Sequence, residues 1–130
     1  MQVWAAVAAF LLDEKKGISE LYRPDELLAV ISNDPAATLW VAWDEVVEGL
    51  MISKICRDVN EKYIYIEAAN CKNLRKYMPF AVEFEHWAVM AGAKSIRFEC
   101  PHTLARILRR YGYSQPTAMV RKRIQPLWRV

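Results

Sequence analysis

The chain is poor in glycine, histidine and cysteine, and each shortage removes a class of chemistry. Four glycines in 130 residues leave no glycine-rich Walker loop to hold a nucleotide phosphate. The two histidines, His86 and His102, lack partner ligands at zinc spacing, and no Ser/His/Asp arrangement is present. Three cysteines, Cys56, Cys71 and Cys100, are odd in number and without short paired spacing. They argue against a disulfide framework and for buried or half-buried thiols in a reducing, cytoplasmic compartment. Val3 to Leu12 is apolar, but ten residues cannot span a bilayer and no Lys or Arg precedes them as a signal peptide requires, so no membrane role is expected. Internal repeats, low-complexity runs and linkers are missing too.

Acidic residues are absent from the last quarter. Up to Glu99 there are 11 basic and 15 acidic residues. From Cys100 onward there are seven basic residues (Arg106, Arg109, Arg110, Arg121, Lys122, Arg123 and Arg129) and no acid. This region carries its own positive field, suited to an acidic protein face, an anionic cofactor or nucleic acid. With 54% hydrophobic and 25% charged residues, the rest suits one domain over 1–130 with a sizeable core.

The pattern predicts an α/β order. A helix is expected from Met1 to about Lys16, with a first strand at Gln2 to Val7 as the alternative. Pro24-Asp25-Glu26 opens a helix that buries Leu27, Leu28 and Ile31 and stops at Asn33-Asp34-Pro35. Thr38–Trp43 and Val46–Ile55 form a hairpin, with Gly49 as a bulge or a point of close approach. Arg57–Glu61 is the next turn. Tyr63–Ala69 alternates as a strand, Phe80, Phe84, Trp87, Ala88 and Ala91 share one helix face, and Ser95–Cys100 alternates again, completing a βαβ unit. A closing helix puts Leu104, Ile107, Leu108 and Tyr111 inward and Arg106, Arg109 and Arg110 outward, with His102 or Thr103 as its cap. Ala118–Ile124 is the last strand, and 114–130 holds that strand and a basic, apolar tail.

This layout, with Gly92 and Gly112-Tyr113 closing the two helices, resembles the second half of the GNAT (Gcn5-related N-acetyltransferase) fold. The resemblance reaches back to Ala37 and covers about three quarters of the chain. It implies a mixed, mostly antiparallel sheet flanked by helices, and acetyl-CoA as the family's cofactor. The family's loop Gln/Arg-x-x-Gly-x-Gly/Ala, which offers backbone N–H groups to the coenzyme A pyrophosphate, falls on Arg75-Lys76-Tyr77-Met78-Pro79-Phe80. If coenzyme A binding is retained, Arg75, Lys76, Met78 and Phe80 are its residues, with Lys72 a further cation. Arg75 matches the pattern, Met78 and Phe80 fill both glycine positions, and Pro79 deletes a donor.

The family's general-acid tyrosine falls on Leu108, so no tyrosine carries over, and Tyr111 is expected in the core. A general base would come from Glu67, Glu83, Glu85, His86 or His102. Glu67 is the candidate catalytic residue by position, although strand alternation predicts an outward-facing, exposed carboxylate there. These departures resemble small GNAT-like proteins of tailed phages that have lost the cofactor loop and serve as virion or host-takeover components.

The expected function is therefore binding of another macromolecule without a cofactor, and the alternative is an active N-acetyltransferase with a non-standard loop. The partner is expected to be another protein subunit, possibly a second copy, gripped by Arg121, Lys122, Arg123, Leu127 and Trp128. Nucleic acid is the competing use of the charge.

Overall fold

A computed structural model describes residues 2–13, 18–114 and 122. The elements run α1 (Gln2–Asp13), α2 (Ile18–Leu21), α3 (Pro24–Asn33), β1 (Ala37–Asp44), β2 (Val46–Arg57), β3 (Lys62–Cys71), α4 (Leu74–Tyr77), a 3-10 turn (Met78–Phe80), α5 (Ala81–Met90), β4 (Ser95–Phe98) and α6 (His102–Arg109). The sheet order is β1-β2-β3-β4. β1, β2 and β3 pair antiparallel, and β3 and β4 pair parallel. The expected α/β class with a mixed, mostly antiparallel sheet is what the chain adopts. Everything up to Glu99 forms one compact unit, and a second begins at Cys100.

The sheet is covered on both faces. On one face, Leu50 and Ile52 of β2 and Ala68 of β3 pack with Val7 and Leu11 of α1, Ile18 of α2 and Leu27 of α3. On the other, Ile64 and Ile66 of β3 pack with Phe84 and Ala88 of α5, joined by Trp40, Met51 and Trp87. Trp40 meets Phe84 and Trp87 edge-on, with ring centroids 5.2 and 4.9 Å away. Its indole N–H donates to the hydroxyl of Ser53 at 2.9 Å, which gives the one polar side chain buried among the described residues a partner.

Two irregularities set which residues face which core. Between β1 and β2 the register slips at Ala42/Trp43, leaving Glu48 unmatched next to Gly49. Gly49 also begins the β2–β3 ladder, and a Cβ there would lie 2.8 Å from the carbonyl oxygen of Asn70. Gly49 is thus the point of close approach, and the bulge falls on Glu48 beside it. In the β2–β3 ladder Ile52 faces Ala68 while Ser53 faces Ile66, so Glu67 is the extra residue of a second bulge.

The helix ends follow the glycines. Gly92 (φ +87°) lets Ala93 N–H reach the Ala88 carbonyl and its own N–H reach that of Val89. Gly112 (φ +92°) does the same, with Tyr113 bonding to Leu108 and Gly112 to Arg109. In both, the orphan carbonyls of the last turn are satisfied through a left-handed residue that glycine adopts without steric cost.

The N-terminal segment is the expected helix, over Gln2–Asp13, and not the alternative strand. Other expectations fail. Leu28 is 37% exposed, because α3 turns only Leu27 fully inward. Ile107 and Tyr111 are 37% and 44% exposed, and within the second unit only Leu108 is buried on α6, so Tyr111 is no core residue. Neither His102 nor Thr103 caps α6: Pro101 occupies the N-cap without a side-chain bond, and its carbonyl accepts from Ala105 N–H. The strand expected at 118–124 lies outside the described residues, apart from Lys122.

Two measurements follow from this architecture. Gly49→Ala forces a methyl against backbone and is expected to lower stability by about 1–3 kcal/mol, read as a lower urea midpoint with unchanged slope. Asp58 ties the β2–β3 turn to β4: its carboxylate accepts the N–H groups of Glu61 and Asn60 and a bond from Arg97. These hold its pKa down to about 2 from 3.8. A depressed carboxyl stabilises the fold above its unfolded value and ceases to do so as pH falls through its folded value. Chemical denaturation against pH should therefore show wild type more stable than Asp58→Asn at neutral pH, with the gap closing between about pH 4 and 2.

Candidate functional site

The loop between β3 and α5 is where the resemblance places a phosphate, and its backbone is already helical. Asn73 starts the helical run as the N-cap of α4, accepting Lys76 N–H on its side chain at 3.3 Å. Tyr77, Met78, Phe80 and Ala81 all keep right-handed helical dihedrals, so α4, the 3-10 turn and α5 follow one another without an open end. Met78 N–H bonds to the Leu74 carbonyl and Ala81 N–H to that of Met78, while Pro79 has no N–H. Of the amides an anion would use at a helix start, those of Lys76, Met78 and Ala81 are engaged here and Pro79 has none.

The side chains are arranged likewise. Met78 is buried, and Phe80, expected on the core face, is 56% exposed because the 3-10 turn rotates it away from Phe84. Lys76 lies between the carboxylates of Asp44 and Glu48, the latter at 2.7 Å. Those hydrogen bonds, Asp44 first, raise its pKa above the ordinary lysine value. Tyr77 donates its hydroxyl to the same Glu48 oxygen at 2.5 Å. Lys76 and then Tyr77 hold the Glu48 carboxyl below its usual range. Lys72 sits over the ring of Phe10, 5.6 Å from its centroid. Arg75 is exposed, with no carboxylate partner among the described residues.

Glu67 is not the exposed carboxylate that alternation predicts. Alternation sends it, like Tyr65, to the face opposite Ile64 and Ile66, but α1, α2 and α3 cover that face, so its side chain is only 19% exposed. Tyr22 donates its hydroxyl to one carboxylate oxygen at 2.6 Å. The other oxygen is buried and meets Lys54 Nζ at 3.0 Å, an ion pair lacking the angle of a hydrogen bond. Glu67, as the first cause, raises the pKa of both Tyr22 and Lys54. Tyr65, on the same side of β3, is raised by burial. Such a cluster can hold a proton or orient an amine, although both oxygens of its carboxylate already have partners. Tyr22 and Lys54 were not legible as site residues: one lies in the turn before α3 and the other in a neighbouring strand, joined to Glu67 only by the fold.

Beside Glu67 the sheet opens. β3 and β4 pair only from Tyr63↔Ser95 to Ile66↔Phe98, and β3 continues to Cys71 without β4 beside it. The other expected bases, Glu83, Glu85 and His86 on α5 and His102 on α6, are exposed. Of the tail residues, Lys122 is exposed, while Arg121, Arg123, Leu127 and Trp128 lie outside the described residues. No described helix is long and apolar enough to cross a membrane.

Replacing Tyr22 by Phe and Glu67 by Gln, singly and together, is expected to give a coupling energy of about 1–2 kcal/mol in equilibrium unfolding. Additive effects would show that the bond is solvated and contributes nothing.

No protein-family model and no curated protein matches the sequence. Solved structures do match the fold. A GNAT family acetyltransferase from Staphylococcus aureus is 18% identical, with a TM-score of 0.59 over 79% of this chain and 78% of that one. An aminoglycoside N-acetyltransferase, AAC(6')-Iy, in complex with CoA is 12% identical, with a TM-score of 0.59 over 76% of this chain and 83% of that one. A tetramutant of the BH1408 protein from Bacillus halodurans is 12% identical, with a TM-score of 0.66 over 95% of this chain and 88% of that one. At these identities the likeness is one of fold: the chain has the architecture of the GNAT acetyltransferases.

Proposed function

We propose that this chain is a GNAT-fold protein that no longer transfers acetyl groups and acts by binding another macromolecule. One observation carries the reading. The segment where the pyrophosphate would lie is a closed helical turn, with Met78 and Ala81 N–H engaged, Pro79 lacking a donor, and Lys76 tied to Asp44 and Glu48. A pyrophosphate there would have to displace two carboxylates and unwind the turn. These residues do not fit the group.

The partner in this reading is another protein subunit, a second copy included, engaged by Arg121, Lys122, Arg123, Leu127 and Trp128. Trp and Arg are the side chains most enriched among binding hot spots. Service as a virion or host-takeover component of a phage is one form such binding takes.

A specific observation favours a second reading, an acyl-CoA-dependent N-acetyltransferase. The open edge of β3 next to the half-buried Glu67 offers backbone groups to an extended ligand and a carboxylate beside it. Isothermal titration with acetyl-CoA separates the two. No saturable heat is expected, and binding in the micromolar range or acylated product in a turnover assay would reverse the order. In parallel, the chain ending before Arg121 should elute as a smaller species than the full chain on size exclusion. Unchanged assembly would remove the tail as a docking element.

A further inference from the structure

At the start of β3, the end remote from the Asn73–Phe80 segment, two turns meet around an open hollow. Lys94 N–H donates to the Lys62 carbonyl at 2.8 Å, joining the turn after α5 to the turn before β3. The hollow has a volume of about 230 Å³ and is lined by Arg57, Asp58, Glu61, Lys62, Gly92 and Lys94 among others. Five of these six carry charge.

The acids in its wall are already engaged. Asp58 accepts two backbone N–H groups at 2.8 Å and Arg97 at 2.7 Å. Glu61 accepts the Ser95 hydroxyl at 2.6 Å and stands 4.0 Å from Arg97. Arg97 is itself held over the ring of Tyr63, 3.7 Å from its centroid. The cations are different. Among the described residues no carboxylate comes within 4.0 Å of Arg57, Lys62 or Lys94. Gly92 leaves one wall without a side chain, and a Cβ placed on it would be 3.7 Å from Lys62 Nζ. The Lys62 ammonium thus lies against bare backbone, where it also offsets the negative C-terminal end of α5.

Three cations without carboxylate partners line this hollow beside two acids whose oxygens are engaged, so an anion there would meet a wall with positive charge to spare. A guanidinium fork with two ammonium groups matches a group that has several oxygens and more than one negative charge. We propose that this hollow binds a small phosphate-bearing ligand, with Arg57, Lys62 and Lys94 on the phosphate oxygens and Gly92 giving close approach. The site lies at the other end of β3 from Asn73–Phe80 and stands whether or not that segment binds a cofactor.

The test is ¹H–¹⁵N NMR on the full chain titrated with sodium pyrophosphate, with sodium chloride at matched ionic strength as control. Saturable shifts confined to 57–62 and 92–95 are expected, with a Kd of about 1 mM or tighter. Lys62→Gln with Lys94→Gln should weaken binding at least about tenfold, and Lys94→Gln alone, at an exposed position, should weaken it by a smaller factor. Lys76→Gln should leave it unchanged. Shifts that do not saturate, shifts centred elsewhere, or equal affinity in the double variant would overturn the assignment. So would an oligothymidylate that displaces pyrophosphate from these residues with higher affinity, since the surface would then be a nucleic-acid contact.

Discussion

One extra residue in β3 governs how this molecule is put together. Strand alternation sends Ile64 and Ile66 toward α5. The bulge at Glu67 advances the pattern by one, so Ala68 faces α1 and α3 instead. A single strand thereby contributes to both cores. Beside it, Glu67 keeps the alternation of Tyr65 and meets Tyr22 and Lys54 on that same face, and β3–β4 pairing ends after Ile66. A regular strand would have put Ala68 on the α5 face.

Charge is arranged around that frame by use, not by sign. Lys76 at one end of β3 lies between two carboxylates, which neutralise it. Arg97 near the other end serves Asp58 and rests on Tyr63, which leaves Arg57, Lys62 and Lys94 without acid partners among the described residues. The first sheet-bearing unit is net acidic in sequence, yet it presents a cationic hollow, because what a ligand meets is the charge left over after internal pairing. In the segment that resembles a phosphate loop Lys76 is neutralised and Arg75 is left exposed, and a hollow that resembles no motif keeps three cations without acid partners among the described residues.

Much of the fold was legible because local signals agreed with one another. Pro24-Asp25-Glu26 opens α3, the Glu26 carboxylate accepts the N–H of the N-cap Arg23, and Asp34 ends the helix. Gly92 and Gly112 mark left-handed residues after two helices. The failures lie where a side chain's surroundings come from elsewhere in the chain. Phe80 repeats at helical spacing with Phe84, but the 3-10 turn around Pro79 breaks the phase. Glu67 reads as exposed because alternation turns it away from Ile64 and Ile66, and nothing in β3 itself says that α1, α2 and α3 cover that other face. Tyr22 and Lys54, far from Glu67 in sequence, could not be linked to it before the strands were paired.

The sequence by itself determined the order of elements, the closing glycines, the replacement of both loop glycines by Met78 and Phe80, and the lack of a donor at Pro79, since these depend on short-range sterics and hydrogen-bonding capacity. Only the tertiary structure decided that Lys76 is paired, that Glu67 is half-buried beside Tyr22 and Lys54, and that Arg57, Lys62 and Lys94 line one hollow. The availability of a charge depends on which distant groups packing brings within a few ångströms, and no window of neighbouring residues contains that information.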